Sequence, residues 1–194
     1  MLPLCEHPGR VGHVGEPIRI GVVTVSDRAS EGTYADEGGP SIRDFLLEAV
    51  ASPVTVLYRC IPDDRSVIET TLTDLVDHQG CNVVVTTGGT GPASRDVTPE
   101  ATEAVCERML PGFGEQMRAI SLKFVPTAIL SRQVGGIKGS SLLFNLPGRP
   151  KAIRETIDEL WKAVPYCVDL LGGPYMDMDD EVCHAFRPAS ERRR

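Results

Sequence analysis

Residues 83–100 have the sequence VVVTTGGTGPASRDVTPE, which passes from an apolar run through a glycine-rich turn to a helix start. The three valines are typical of a buried strand. Thr98 is predicted to cap a helix, with Pro99 at its first position and Glu100 in its first turn. Between them lie Gly88, Gly89 and Gly91. Backbone N–H groups exposed in such a turn, beside a helix N-terminus, suit an anion such as phosphate. Glycines also occur in ordinary turns, so both interpretations stay open.

The rest of the chain alternates between predicted strands and helices. Short β-branched apolar runs predict strands, and apolar residues spaced three and four apart predict helices. In 128–139 we expect a short strand and a glycine-rich loop. Strands are predicted at 18–26, 54–61, 82–87 and 141–146, and helices at 40–50, from Ile68 to near Gly80, from Thr98, after Pro111-Gly112, at 151–163 and at 166–171.

This alternation predicts right-handed βαβ units and a single compact three-layer α/β domain, with a mostly parallel sheet and helices on both faces. The chain has 194 residues, of which 41% are hydrophobic and 24% charged, as in globular proteins. We place the domain at 18–187, between a flexible N-terminal tail (1–17) and a basic C-terminal tail (188–194).

Charge and hydropathy exclude several classes of partner. A net charge of −7 argues against nonspecific nucleic-acid binding. No apolar stretch reaches the roughly 18 residues of a membrane span, and 1–17 lacks the apolar core of a signal peptide. We therefore expect a cytoplasmic protein with no membrane partner. The six cysteines are scattered without a CxxC pair, which favours reduced thiols.

Polar residues follow four of the predicted strands. Ligands of parallel sheets bind beyond the carboxyl ends of the strands, so these residues are expected on one shared rim. Ser26 and Asp27 follow the first strand, and they either bind substrate or close the strand into its loop. Ser131 and Arg132 lie near a glycine-rich stretch, where they either hold an anionic group or form solvated surface.

Asp63 and Asp96 lie at or near two of these strand ends. Two carboxylates beside a phosphate site would repel the ligand unless a cation lay between them, and Mg²⁺ takes oxygen ligands from carboxylates and phosphates. This pairing suggests metal-assisted transfer at phosphorus. In the alternative interpretation, Asp63 begins a helix and Asp96 pairs with Arg95 or Arg132. Asp64 also suits the helix cap, which would leave Asp63 free.

Six motifs follow one another in the order TVSDR (24–28), IPDD (61–64), TTGGTGPASRDVTPEAT (86–102), PGFGEQMR (111–118), PTAILSR (126–132) and NLPG (145–148). Together they resemble the MoaB/Mog family of molybdopterin adenylyltransferases, which is related to the G domains of plant and animal molybdenum-cofactor proteins. The resemblance extends from about Ile18 to about Arg187. The third motif is long and specific, and all six occur in the order typical of the family.

The resemblance implies a nucleotidyltransferase of molybdenum cofactor biosynthesis. Its reaction transfers AMP from Mg-ATP to the terminal phosphate of molybdopterin and releases pyrophosphate, and the activated pterin serves molybdate insertion by another protein. It also implies the molybdenum cofactor biosynthesis protein fold and a homotrimer. The alternatives are a non-catalytic molybdopterin-binding or scaffold protein of the same fold and a molybdate-insertion domain.

The family's functional residues map onto matching positions of this sequence. The resemblance implies that Asp63 and Asp96 are catalytic, with a role linked to Mg²⁺. It also implies that Gly88, Gly89, Thr90 and Gly91 bind nucleotide phosphate. The implied substrate rim consists of Ser26, Asp27, Ser131, Arg132, Asn145, Pro147 and Gly148.

Overall fold

A six-stranded mixed sheet forms the middle layer of the molecule. The computed structural model describes residues 17–189. The strands occur in the order β2-β1-β3-β6-β5-β4; the first four are parallel, and β5 is antiparallel to both β6 and β4. The strands are β1 (Ile18–Val25), β2 (Val54–Ile61), β3 (Val83–Thr87), β4 (Arg108–Met109), β5 (Gly135–Lys138) and β6 (Ser141–Leu146).

Helices cover both faces of the sheet, as the sequence predicts. Four helices (α2, α5, α6 and α7) contribute to the core on one face, and α3 and α4 contribute to the core on the other. The helices are α1 (Asp27–Ser30), α2 (Gly38–Ala49), α3 (Arg65–Asp77), α4 (Thr98–Val105), α5 (Pro111–Leu122), α6 (Pro150–Leu160) and α7 (Val164–Leu170), with 3-10 turns at Pro126–Leu130 and Trp161–Ala163.

The central strands are apolar along their whole length because both of their faces are buried. In β3, Val83 and Val85 face the core beneath α2 and α6, whereas Val84 faces the core beneath α3. All three valines are inaccessible to solvent. The continuous valine run therefore predicts the strand correctly even though it lacks the alternation of a half-buried strand.

The stretch 128–139 differs from the expectation of a short strand followed by a glycine-rich loop. Pro126–Leu130 forms a 3-10 turn, and the glycines themselves belong to the strand, β5. A Cβ atom at Gly135 would lie 2.6 Å from Cβ of Phe113, and one at Gly136 would lie 2.8 Å from Sγ of Cys106. Glycine is required there because neighbouring side chains approach the backbone closely.

The C-terminal segment (172–189) runs along the edge of the sheet at which the parallel strands begin. Ala51 N–H donates to the carbonyl of Asp177 at 2.9 Å, and Asp179 N–H donates to the carbonyl of Ala49 at 2.9 Å. The segment is thus bonded to the body of the domain just before β2 begins. The predicted tails at 1–17 and 188–194 lie outside the described residues except for residues 17, 188 and 189. Within 17–189, no helix is long and apolar enough to cross a membrane.

Candidate active site

The carboxyl ends of β1, β2, β3 and β6 meet at one edge of the sheet, where the sequence predicts a shared rim. Ser26 N–H donates to the carbonyl of Ile61 at 2.8 Å, which joins the ends of β1 and β2. Thr87 Oγ1 donates to the carbonyl of Pro147 at 2.7 Å, which joins the ends of β3 and β6. Polar residues far apart in the sequence are thereby brought onto one surface.

Two consecutive glycines with positive φ turn the chain away from β3. The φ angles are +96° at Gly88 and +62° at Gly89. A Cβ atom at Gly88 would overlap the carbonyl oxygen of Val25, and one at Gly89 would overlap the hydroxyl of Thr98. The turn thus requires glycine both for its conformation and for its close contact with the end of β1.

Thr98 connects this turn to α4 through two hydrogen bonds. The sequence predicts Thr98 as the helix cap, but Val97 precedes the helix and makes no side-chain cap bond, while Thr98 is the first helical residue. Its hydroxyl donates to the carbonyl of Gly88 at 3.0 Å, and its N–H donates to the carbonyl of Gly89 at 3.1 Å. The prediction of Thr98 as cap is therefore wrong, because its side chain bonds to the preceding turn instead of to the helix.

Asp63 and Asp27 exchange hydrogen bonds across the ends of β1 and β2. Asp27 N–H donates to Oδ2 of Asp63 at 2.9 Å, and Asp63 N–H donates to Oδ1 of Asp27 at 2.9 Å. Arg95 Nη2 contacts Oδ2 of Asp27 at 2.6 Å. Asp64, in contrast, caps α3 by accepting from Ser66 N–H and Val67 N–H, so Asp63 is free of the capping role.

The surroundings of Asp63 and Asp27 shift their pKa values in opposite directions. Partial burial raises the pKa of Asp63, and the nearby charges of Asp27 and Asp96 raise it further, against the lowering effect of the Asp27 N–H bond and Arg95. The hydrogen bond from Arg95 lowers the pKa of Asp27. Asp63 is thus a carboxylate whose negative charge is disfavoured in the absence of a cation.

Asp96 lies in the loop between the glycine turn and α4. Its Oδ2 accepts from Ala93 N–H at 3.0 Å, and a Cβ atom at Gly91 would lie 2.9 Å from the same oxygen. Arg95 pairs with Asp27 and Arg132 pairs with Glu100. Neither arginine that was expected to pair with Asp96 does so, because each pairs with another carboxylate. Asp96 lies close enough to Asp63 to raise the pKa of Asp63.

Two clefts open on the rim, one on each side of Gly148. The first cleft has a volume of about 290 Å³, and the second has a volume of about 310 Å³. Gly148 and Arg149 line both clefts. The first cleft also contacts Ser26, Arg28, Asp36, Thr87 and Gly88, and the second also contacts Thr90, Gly91, Ser131, Gln133 and Pro147.

Asn145 lies beneath the rim and not on it. Its side chain is fully buried, and its Nδ2 donates to Oγ1 of Thr86 at 3.0 Å and to Oγ1 of Thr102 at 2.9 Å. Its Oδ1 accepts from Val134 N–H at 3.3 Å. The hydrogen bonds of this amide are made to the protein, where they join β6 to β3, to α4 and to the start of β5.

Asp36 is a rim residue that was not predicted from the sequence. Its carboxylate accepts from Thr24 Oγ1 at 2.7 Å, from the hydroxyl of Tyr58, and from Gly38 N–H at 2.9 Å. Burial and the hydrogen bond to Asp36 raise the pKa of Tyr58. The signal for Asp36 was an acidic residue just before the Gly38-Gly39-Pro40 helix start. α2 begins at Gly38 and not at Pro40 because this carboxylate binds its first N–H groups.

The oxygen donors of the rim fit a divalent cation that is completed by a ligand's phosphates. Within residues 17–189, no three His, Cys, Asp or Glu side chains cluster as a metal site. Mg²⁺ commonly uses only one or two carboxylates together with phosphate oxygens and water. Burial is the main cause of the raised pKa of Asp63, and the charges of Asp27 and Asp96 add to it, so a bound cation would favour the ionised carboxylate.

Comparison with known proteins gives consistent results for sequence and structure. The family described as "Probable molybdopterin binding domain" matches residues 21–166. Molybdopterin adenylyltransferase of Haemophilus influenzae is 54% identical over 188 residues, covering 91% of this chain and 95% of that protein. The enzyme of the same name from Helicobacter pylori (strain 26695) is 54% identical over 173 residues, covering 89% and 98%.

A solved structure has the same architecture. The molybdopterin biosynthesis enzyme MoaB of Thermus thermophilus superposes with a TM-score of 0.75 at 38% identity, covering 81% of this chain and 99% of that one. The matched residues 21–166 include the glycine turn, Asp63, Asp96 and both clefts. The chain therefore belongs to the MoaB/Mog family of molybdopterin adenylyltransferases.

Proposed function

We propose that this protein transfers AMP from ATP to the terminal phosphate of molybdopterin, with release of pyrophosphate, as a step of molybdenum cofactor biosynthesis. The new bond joins an oxygen of the molybdopterin phosphate to the α-phosphorus of ATP. The bond between the α-phosphorus and the oxygen that bridges to the β-phosphate breaks, and pyrophosphate leaves with the electron pair.

One observation carries this proposal beyond the family resemblance. The Gly88-Gly89 turn lies at the rim with Asp63 on one side and the Asp96 loop on the other, and the turn and its neighbours line two clefts that meet at Gly148. A transfer between two phosphorylated substrates needs two neighbouring binding regions and a phosphate site between them. This arrangement supports a two-substrate reaction over the storage of a single ligand.

The residues of the rim have separate tasks in this reaction. Backbone N–H groups of 88–91 bind phosphate, as expected of a strand-to-helix turn. The attacking phosphate is already an anion, so no side chain has to remove its proton. Positioning and compensation of charge then account for most of the rate. Ser26, Asp27, Ser131, Pro147 and Gly148 line or border the clefts that receive the two substrates.

Asp63 and Asp96 are the residues that would hold Mg²⁺. When bound, the cation supplies charge neutralisation at the phosphates of ATP. The two aspartates keep oxygen donors in place beside the phosphate-binding turn. Asp27 holds the backbone and the carboxylate of Asp63 through two reciprocal hydrogen bonds, and so fixes its direction.

The proposal includes assembly as a homotrimer and delivery of the product to a molybdate-insertion protein. A surface suited to assembly occurs near the second cleft, where five apolar side chains are 45–72% exposed. Light scattering of the purified protein measures the mass directly, and a monomeric mass would contradict the trimer. The five side chains are Leu122, Phe124, Val125, Ile129 and Leu130.

The decisive experiment mixes the purified protein with molybdopterin, ATP and Mg²⁺, and follows pyrophosphate and adenylylated pterin. We expect both products in equal amounts, and omission of molybdopterin is the control for ATP hydrolysis. A protein that binds molybdopterin but yields neither product would be the non-catalytic binding protein of the same fold. Pyrophosphate without adenylylated pterin would also contradict the proposal.

A further inference from the structure

Arg132 is bonded to the loop that carries Asp96 at several points. Its backbone N–H donates to the carbonyl of Thr90 at 2.9 Å, and its Nε donates to the carbonyl of Gly91 at 2.8 Å. Its Nη2 donates to the carbonyl of Asp96. These three bonds connect both ends of the loop (90–96) to a single residue.

The loop is also bonded to the body of the domain through Arg95, whose Nη2 contacts Oδ2 of Asp27 at 2.6 Å. It contains neither helix nor strand, and its internal bonds run between Ala93 and Asp96. Asp96 N–H donates to the carbonyl of Ala93 at 3.0 Å, and Ala93 N–H donates to Oδ2 of Asp96 at 3.0 Å. The small turn formed by these two bonds is attached to the body of the domain by the guanidinium of Arg132.

Arg132 is itself anchored to the sheet and to α4. Arg118 Nη1 donates to the carbonyl of Gln133 at 3.0 Å, and the buried Gln133 donates through Nε2 to the carbonyl of Asn145 in β6 at 3.2 Å. Arg132 Nη1 pairs with Oε1 of Glu100 in the first turn of α4. The guanidinium is therefore held between a rigid base and the loop.

The chemistry of this contact is specific to arginine. A guanidinium is planar and presents donors from all three of its nitrogens in a fixed arrangement, whereas a lysine ammonium is a single point of charge on a flexible stem. All three side-chain nitrogens of Arg132 donate to protein acceptors, of which two are backbone carbonyls. These contacts direct donors from all three nitrogens towards the protein and so away from a substrate anion.

We propose that Arg132 is a positioning residue, which fixes the Asp96 loop and contributes to the rate through Asp96 and not by contact with either substrate. This inference rests on the proposed adenylyl transfer for its kinetic consequences. Its structural consequence, a loop whose backbone at Gly91 and Asp96 is held by the guanidinium of Arg132, is independent of the reaction.

The kinetic test compares Arg132→Lys with wild type. We expect kcat to fall by roughly 10–100-fold, as when a supporting residue of a catalytic group is lost, with both KM values within about twofold. In an Asp96→Asn background the same change should lower kcat by less than about threefold, because the two residues act as one unit. Arg43→Lys, which alters an exposed ion pair on α2, is the matched control.

Several kinetic results would overturn the proposal. If Arg132 bound a substrate anion, Arg132→Lys and Arg132→Ala would both raise the KM of that substrate, by tenfold or more for Arg132→Ala, since the direct contact with the anion is weakened or lost. Multiplicative effects of Arg132→Lys and Asp96→Asn would show that the two residues act independently.

Hydrogen exchange tests the structural part without any turnover. In Arg132→Lys, we expect the amides of 91–97 to exchange at least about tenfold faster, with those of β3 unchanged. Unchanged exchange in 91–97 would overturn the proposal, and so would equal acceleration in β3, which indicates general destabilisation. A wild type that makes no adenylylated product would defeat the proposed function alone, and the exchange data would still decide whether Arg132 holds the loop.

Discussion

Asp63 and Asp64 are adjacent in the sequence but make unrelated contacts. Asp64 caps α3 through its Oδ1, which accepts from Ser66 N–H at 2.9 Å and from Val67 N–H at 3.1 Å. The hydroxyl of Ser66 is the main cause of the lowered pKa of Asp64. Asp63 bonds instead to Asp27, and its pKa is raised by partial burial. One carboxylate thus stabilises a helix, and the other belongs to the candidate active site.

Substitution of these two aspartates should separate activity from stability. We expect Asp63→Asn to lower kcat by roughly 100-fold or more, the scale of losing one preorganised electrostatic group, while the Tm stays equal or rises because a disfavoured charge is removed. We expect Asp64→Ala to lower the Tm by about 2–4 °C through loss of the cap, with kcat retained. Steady-state kinetics and thermal melts check both.

Comparison of Asp63→Asn with Asp64→Ala distinguishes a loss of catalysis from general unfolding. Asp96→Asn should behave like Asp63→Asn in kcat, since both carboxylates are proposed to hold the same cation. Full activity of both asparagine variants would show that these aspartates are not the catalytic pair, even if the protein adenylylates molybdopterin.

The raised pKa of Asp63 predicts the pH dependence of the rate. If Asp63 must lose its proton before the metal-free protein binds Mg-ATP, kcat/KM falls as the pH decreases through this pKa, and the loss begins at a higher pH than for an ordinary aspartate of pKa about 3.9. The positive charge of Arg95 lowers the pKa of Asp63, so Arg95→Gln should move the acid limb to still higher pH. Profiles of kcat/KM for Mg-ATP against pH for wild type and variant measure the shift, and coincident acid limbs would contradict it.

The raised pKa of Asp63 affects the free energy of unfolding in the opposite direction to the activity. A carboxyl group with a raised pKa in the folded state binds its proton more tightly when folded than when unfolded. The unfavourable contribution of Asp63 is therefore relieved as the pH falls through its folded pKa, and it returns as the pH rises. Activity and the Asp63 contribution to stability should change in opposite directions over the same acidic range.

At the scale of the elements, the connection from β3 to α4 is determined by backbone conformation. Gly88 has a φ of +96° and lies against the carbonyl of Val25 at the end of β1. Gly80, after α3, has a φ of +64°, but a Cβ atom there would meet no other atom within 4 Å. Both glycines have a positive φ, but of the two only Gly88 lies against another part of the chain. Comparison of substitutions at these two positions therefore separates the cost of the backbone conformation from the cost of the close contact.

We expect Gly80→Ala to destabilise the protein by about 1–2 kcal/mol, which is the cost of the left-handed conformation alone. Gly88→Ala should destabilise it by roughly 3 kcal/mol or more, because the added methyl group also displaces the end of β1. It should in addition raise the KM for ATP, since the phosphate-binding N–H groups move. Urea unfolding of both variants measures the difference, and equal losses would show that the contact with Val25 carries no energy.

The elements with strong local patterns were the ones that the sequence predicted well. The range 54–61 was predicted for β2 with its final bounds, and the four parallel strands and the faces of their helices follow from apolar spacing. The β4–β5 pair was missed, because β4 has only two residues and β5 begins with two glycines. Such strands are defined by their neighbours in space, which no local pattern encodes.

The residues of the candidate active site also divide into those that follow from local sequence patterns and those that the tertiary fold brings together. Asp63, Asp96 and the glycine turn were predicted to share a site because they lie at or near strand ends, and the carboxyl ends of parallel strands form a common edge. Asp36 and the pairing of Arg132 with Glu100 were missed, because these contacts join residues 22 and 32 positions apart through the tertiary fold. The family resemblance placed Asn145 on the rim, near the end of the predicted strand 141–146, whereas its side chain points into the buried layer between β6 and α4.

At the scale of the whole molecule, the site and the C-terminal segment (172–189) occupy opposite edges of the sheet. The two clefts lie where the parallel strands end, while the segment bonds to 49–51, just before β2 begins. Its anchor is Arg187, which is 6% exposed. A change at this anchor should thus affect the stability of the domain without altering the geometry of the rim.

Arg187 is held by contacts of several kinds. Its Nε contacts Oδ2 of Asp169 in α7 at 2.5 Å, its Nη2 donates to the carbonyl of Met176 at 3.0 Å, and its guanidinium lies 4.0 Å from the ring centroid of Tyr175. Removal of the guanidinium leaves the largely buried carboxylate of Asp169 without this cation. Loss of one partner from a buried ion pair is strongly destabilising, because the remaining charge is poorly solvated.

We therefore expect Arg187→Ala to lower the stability by about 3 kcal/mol and the Tm by about 6–12 °C. At 25 °C its kcat should stay within about twofold of wild type, because the segment does not contact either cleft. Arg43→Ala, which removes an exposed ion pair, is the control and should change stability by less than about 0.5 kcal/mol. A kcat that falls with Arg187→Ala while the protein is still folded would mean that the two edges of the sheet are coupled, and hydrogen exchange along β1 and β3 would then show whether the strands transmit the change.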